Sequence, residues 1–270
     1  MSRNHRKTLT VDGEVGFVSG LCVAQDWAGY PDRGIDPWRD TGVEIRGPAV
    51  ADLDAAFAEV WALAGGQPVA PGPGGAAVAA DGAEVRVIRG RPGQLGAYRL
   101  DQLVAAGAQR RLWLTDAYFV ATTPYVRALV EADRDGVDVR LLLPGSSDVP
   151  VAQMLARAGY RPLLEAGIRI WEWDGPMLHA KTAVCDGRWA RVGSTNLNPT
   201  SWLSNWELDV TVEDPRFAEA MEAAYLEDLS HATEVVLEGR RMRAGHPAPA
   251  GPRRYRARTG SGGRFAAGAI

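Results

Sequence analysis

Of the 30 cationic residues in this 270-residue chain, only two are lysine, Lys7 and Lys181. Each lies two residues after a histidine and five before an aspartate: His5-x-Lys7-x4-Asp12 and His179-x-Lys181-x4-Asp186. A chain that uses arginine elsewhere keeps lysine at these two places. Lysine offers a compact point charge and arginine a planar fork, so a site that needs a small ammonium beside an imidazole would impose that choice. Imidazole titrates near neutral pH and serves as nucleophile, acid or base. Two such sets read as one site that handles an anionic group between two imidazoles. An isolated histidine would read as a core residue; two at equivalent places, each with its lysine, read as chemistry. His231 and His246 have no such neighbours and read as incidental.

The elements that must position these residues come as a repeat. Asn4–Val23 set over Leu178–Leu197 aligns His, Lys, Thr, Asp-Gly and a later Val without gaps. Both copies run apolar, turn at Asp-Gly and continue apolar, which predicts a strand, a tight turn and a second strand. Asp12 and Asp186 read as supporting residues that bond their own backbone in the turn. The helix over Ala49–Ala62 closes the first copy. A Gly/Pro/Ala linker occupies residues 64–83. Beyond it strands at Glu84–Ile88, Arg111–Thr115, Val137–Leu143, Ile168–Trp173 and Glu207–Val212 alternate with helices at Tyr98–Gln109, Thr123–Asp135, Val149–Ala166 and Pro215–Leu229. That alternation predicts an α/β sheet covered by helices. The expected organisation is residues 1–63 as the end of a first domain, 84–238 as a complete second domain, and 239–270 as a disordered basic tail. Only four residues precede His5. The first domain thus lacks flanking strands, which either a chain start further upstream or a partner, such as a second copy in a homodimer, would supply.

Composition narrows the class. Hydrophobic residues make up 46% and charged residues 23%, which excludes disorder, collagen and coiled coil for the whole. Two cysteines, Cys22 and Cys185, make neither a disulfide framework nor a four-cysteine zinc site. No metal-ligand motif, P-loop or dinucleotide fingerprint occurs, so no metal or cofactor is expected. No apolar stretch of signal or spanning type appears. The net charge of −3 hides an asymmetry: from Arg240 onward there are eight arginines and no acid. An acidic body with a basic tail points to a polyanion, either a membrane leaflet or nucleic acid.

The doubled HxKx4D, with Gly193-Ser194-x-Asn196 after the second copy, resembles the phospholipase D superfamily. Asn4-His5-Arg6-Lys7, Trp38-Arg39-Asp40-Thr41, Tyr118-Phe119-Val120, Leu141-Leu142-Leu143-Pro144-Gly145 and Asn205-Trp206-Glu207-Leu208-Asp209 resemble its bacterial cardiolipin synthases. The resemblance implies two phospholipase D-like α/β/α sandwich repeats related by a pseudo-twofold, the first shortened at its N-terminus. It implies a phosphatidyltransferase acting on phosphatidylglycerol through a phosphohistidine, at the inner face of the cell membrane. The alternatives are a phosphodiesterase or nuclease of the same superfamily, or an inactive truncated fragment. In the implied site His5 is the nucleophile and His179 the acid, and Lys7, Lys181, Ser194 and Asn196 hold the phosphoryl oxygens. Glu207 orients His179, with Asp40 as its first-copy counterpart. The first copy departs from the pattern at Ser19-Gly20-Leu21-Cys22, where Gly-Gly-x-Asn is usual, so an amide donor is missing there.

Overall fold

Each Asp-Gly pair turns a hairpin because both central residues take the positive φ that primed turns require. Asp12 and Gly13 sit at φ 55° and 70°, Asp186 and Gly187 at 56° and 67°. The first hairpin joins β1 (Thr8–Val11) to β2 (Val15–Ser19). A short helix α1 (Gln25–Ala28) then leads to β3 (Thr41–Arg46) and α2 (Ala49–Leu63). The computed structural model describes residues 2–69, 82–238, 241–245 and 264–269. Most of the expected 64–83 linker lies outside them.

The second unit begins with β4 (Glu84–Gly90), α3 (Gly96–Gly107), β5 (Arg111–Thr115), α4 (Thr123–Arg134) and β6 (Asp138–Pro144). Next come α5 (Pro150–Ala158), α6 (Tyr160–Ala166) and β7 (Arg169–Trp173). The second hairpin is β8 (Thr182–Cys185) and β9 (Trp189–Gly193), followed by α7 (Pro199–Leu203), β10 (Glu207–Glu213), α8 (Pro215–Leu229) and β11 (Ala232–Glu238). The helix expected over Val149–Ala166 is broken at Gly159. Pro162 lacks an N–H, and in a continuous helix its ring would strike the Ala158 carbonyl.

The expectation of a disordered tail from 239 also needs correction. β12 (Arg241–Ala244) pairs antiparallel with β11 and β13 (Arg264–Ala269) pairs parallel with β3, each on an otherwise open strand edge. Residues 246–263 lie outside the described set.

The large sheet runs β12-β11-β7-β6-β5-β8-β9-β10-β4 and the small one β1-β2-β3-β13. β5, β6 and β7 are parallel and their neighbours antiparallel. One face packs Leu112, Leu114, Leu141 and Leu143 against Tyr125, Leu129, Tyr160 and Leu163 from α4 and α6. On the other, α8 puts Phe217, Ala218 and Met221 into a core shared by Val184, Val192 and Val210 of the large sheet and Val18, Val43 and Ile45 of the small one. The two hairpins are thus held by one apolar core, which fixes the histidines relative to each other.

Candidate active site

Two isolated bridges stitch the sheets together, and each places a histidine against a carboxylate. Asn4 pairs with Trp206, and Arg39 with Leu178. The His5 N–H donates to the Trp206 carbonyl at 2.8 Å, and the His179 N–H to the Arg39 carbonyl at 2.7 Å. In both cases the next residue along is the histidine on one strand and the acid on the other. His5 Nδ1 therefore lies 2.9 Å from Glu207 Oε2, and His179 Nδ1 2.9 Å from Asp40 Oδ2. The pairing is crossed. The sequence assigned Glu207 to His179 and Asp40 to the first copy; the structure pairs each acid with the histidine of the other copy, because the bridges run between copies.

With Nδ1 donating to a carboxylate, each imidazole keeps Nε2 as its reactive atom. The acids are fully enclosed and multiply held. Glu207 receives Ser194 Oγ at 2.6 Å and Asn205 Nδ2 at 3.2 Å. Asp40 receives Trp27 Nε1 at 2.9 Å and the Thr41 N–H at 2.8 Å. Burial alone would raise both carboxyls, but the bond from the paired histidine and the surrounding donors outweigh it and hold them below the usual range.

Gly20 marks a difference between the two copies. It aligns with Ser194, and a Cβ there would sit 2.4 Å from Asp40 Oδ1. The first copy leaves that space empty and holds its acid from the other side with the Trp27 indole.

The lysines stand beside the histidines. Lys7 Nζ donates to the His5 carbonyl at 2.6 Å, and Lys181 Nζ to the His179 carbonyl. Lys181 Nζ also lies 2.9 Å from His179 Nδ1, whose proton is already given to Asp40. Each ammonium keeps donors free for an anion. Burial pushes Lys181 down to about 8 and lowers Lys7 as well. Burial, then the Lys181 charge, lowers His179 to about 4, so it is neutral at pH 7. His179 is also the more enclosed: its side chain is 5% exposed against 25% for His5. Trp27, Trp38 and Tyr118 surround it, with ring centroids 5.0, 5.8 and 5.9 Å away.

The expected phosphate ligands divide. Ser194 Oγ is occupied twice, donating to Glu207 and accepting the Leu208 N–H at 2.9 Å, so it positions an acid. Asn196 is buried with its Oδ1 unpartnered and its Nδ2 at 3.5 Å from Ser201 Oγ, which leaves the amide open to a ligand. Asp186 does not bond the backbone of its own turn, and the Cys185 thiol beside it shares its carboxylate. Its carboxylate takes the N–H groups of Gln109, Arg110 and Arg111 at 2.8–3.0 Å, tying the hairpin to β5 at the end of β8 remote from Lys181. Asp12 is an exposed turn residue.

Sequence reasoning missed several positioning groups. Arg39 grips Asp228 of α8 through bonds of 2.8 and 2.7 Å and fixes the segment carrying Asp40. Asp209 takes the Thr195 N–H and hydroxyl, and Asp116 takes the N–H groups of Leu197 and Tyr118, so two buried acids shape the loop around Asn196. Arg6 donates to the Ala56, Gly90 and Glu207 carbonyls and anchors the His5 strand. Arg39 and Asp209 stood inside the quoted motifs, but no spacing rule reveals what a buried side chain reaches across the fold.

Residues 103–229 match the family described as cardiolipin synthase, PLD-like domain. A cardiolipin synthase of Geobacillus sp. (strain WCH70) is 32% identical over 250 residues, covering 87% of this chain and 48% of that protein. Cardiolipin synthase A of Pseudomonas aeruginosa (strain LESB58) is 35% identical over 245 residues, covering 88% and 49%. The chain spans about half the length of the curated relatives it matches. Among solved structures, phosphatidylserine synthase of Haemophilus influenzae Rd KW20 superposes with a TM-score of 0.64 at 15% identity, over 86% of this chain and 63% of that one. Nuc of Salmonella typhimurium, a phospholipase D family member, gives 0.51 at 22% identity, over 57% of this chain and all of that one. These two share the fold. On family match, relatives and fold together, the chain is placed in the phospholipase D superfamily, on its cardiolipin synthase-like branch.

Proposed function

We propose that this chain carries the catalytic centre of a phosphatidyltransferase that moves a phosphatidyl group onto the glycerol headgroup of phosphatidylglycerol. The observation that carries the reading is the crossed arrangement: two imidazoles, each with Nδ1 fixed by an enclosed carboxylate of the other copy and each flanked by a lysine. Phosphodiester exchange needs a nucleophile, an acid for the leaving alkoxide and positive charge on the non-bridging oxygens. In the first step one Nε2 attacks phosphorus, a P–N bond forms, and the P–O bond to glycerol breaks. The other imidazolium protonates the departing alkoxide. In the second, that imidazole takes the proton of the incoming glycerol hydroxyl, the oxygen attacks phosphorus, and the P–N bond breaks. Lys7, Lys181 and the Asn196 amide hold the phosphoryl oxygens, and Ser194 supports Glu207. In this reading residues 1–63 complete a first phospholipase D-like unit and 84–238 form the second, at the inner surface of the cell membrane, with the tail arginines drawn to anionic lipid.

The family resemblance makes His5 the nucleophile and His179 the acid. One observation favours the reverse order: His179, lowered to about 4, is neutral at pH 7 and ready to attack. Incubation with phosphatidylglycerol, quenching without acid and peptide mass spectrometry decide between them. Added phosphatidyl mass on the His5 peptide supports the first order and on the His179 peptide the second. Turnover with no adduct on either, in wild type and in His5→Ala and His179→Ala, would refute the phosphohistidine route.

No helix among the described residues is long and apolar enough to cross a membrane.

A further inference from the structure

Helix α5 is built inside out. Of its nine residues only Gln153 and Arg157 are polar, and both are tied to the body. Gln153 Nε2 donates to the Gly145 carbonyl at 2.5 Å, and Arg157 grips Glu172 through two bonds of 2.7 Å. The large apolar side chains face water instead: Val151 is 61% exposed, Met154 63% and Leu155 48%, with Val149 just before the helix at 43%. A surface helix ordinarily does the opposite, and a cluster of this kind marks a surface that meets something.

Its place in the fold suggests what. α5 follows Asp148, whose carboxylate accepts the Tyr118 hydroxyl at 2.7 Å. The Tyr118 ring stands edge-on to His179 and 5.9 Å from Lys181 Nζ. The bare face therefore starts at the lip of the site. Val23 is wholly exposed. It follows Cys22, which is within electrostatic reach of both Lys7 and Tyr118.

We propose that α5, together with Val23, seats the protein on a phospholipid bilayer, with Val149, Val151, Met154 and Leu155 in the boundary between headgroups and acyl chains. A lipid phosphodiester could then reach the two histidines without leaving the membrane. This rests on reading the site as one that takes lipid phosphodiesters. A bilayer is the occupant that the chemistry favours. The stretch from Val149 to Ala156 carries no charge, so a charged soluble partner would find nothing to pair with. The arginine excess is confined to residues beyond 239, and the body is acidic and repelled by anionic lipid. Attachment at α5 is therefore apolar, by shallow insertion of about 5–10 Å, and insensitive to salt.

The test is co-flotation of the full chain with vesicles of pure phosphatidylcholine, which removes charge attraction, at low and high salt. Wild type is compared with the double variant Val151→Glu/Met154→Glu. Both positions are mostly exposed, so the thermal transition of the variant should match wild type; Val151→Ser/Met154→Ser gives a milder repeat. Turnover is measured in parallel on short-chain phosphatidylglycerol dissolved below its micelle concentration. The expected result is salt-independent binding by wild type, at least tenfold weaker in the glutamate variant, with turnover of the dissolved diester unchanged. Equal vesicle binding by both proteins would overturn the proposal. So would a wild-type dimer that becomes a monomer on substitution while vesicle binding stays the same, since the face would then join two copies. If vesicle binding falls as expected but neither protein turns over the dissolved diester, the docking surface stands and the transferase reading falls.

Discussion

At the scale of single residues, the charge states of the site follow from enclosure. A lysine in water titrates near 10.4. Lys181, pushed down to about 8 chiefly by burial, loses its positive charge that much earlier. Because the neutral amine no longer holds a phosphoryl oxygen, kcat/KM should fall about tenfold per pH unit above about 8, since that parameter reports the free enzyme. A profile flat to pH 10 would contradict this. His179 makes a second prediction. Asp40 is what raises its basicity against burial and the lysine charge, so Asp40→Asn should move its titration further down, while Glu207→Gln should leave it in place. NMR titration of the ring protons reads this directly. A response of His179 to Glu207→Gln instead would mean that the pairs are not crossed. The histidines and lysines themselves were legible from sequence because their chemistry is local: type, spacing and repetition announced them. Which carboxylate meets which imidazole was not, since the pairing is decided by two bridges between strands some 140 to 200 positions apart, Arg39 to Leu178 and Asn4 to Trp206.

At the scale of elements, the hairpins came through with their turns because Asp-Gly is a local signal for positive φ. The break at Gly159 was visible in principle through Pro162. The strands in the tail were not legible, since β12 and β13 are recruited by open edges of β11 and β3 rather than by their own composition. Placement of Asp40 is an element-level matter and gives two predictions. Gly20→Ala would drive a methyl into a carboxylate held by Trp27, Thr41 and His179, and that acid cannot simply swing away. A displacement of this size should lower kcat roughly ten- to a hundredfold, with the fold retained by circular dichroism. Wild-type kcat in Gly20→Ala would show that Asp40 has slack. Arg39→Met would leave Asp228 buried without its guanidinium partner. Loss of one member of such a pair typically amounts to about 3–5 kcal/mol, to be read from denaturant unfolding.

At the scale of the whole molecule, the function rests on two sheets sharing one core. Val18, Val43 and Ile45 of the small sheet pack with Val184, Val192 and Val210 of the large one, and that contact brings His5 and His179 to a common site. Such a site is assembled only when both copies are docked, which is why a repeat visible in sequence becomes chemistry only in the fold. The most direct measurement is lipid turnover by the purified chain. It would be mixed with phosphatidylglycerol vesicles, with His5→Ala and His179→Ala alongside, and the products separated by mass spectrometry. Cardiolipin and free glycerol are expected from the wild type and neither from the two variants. Phosphatidic acid as the sole product, or cardiolipin formed undiminished by either variant, would contradict it.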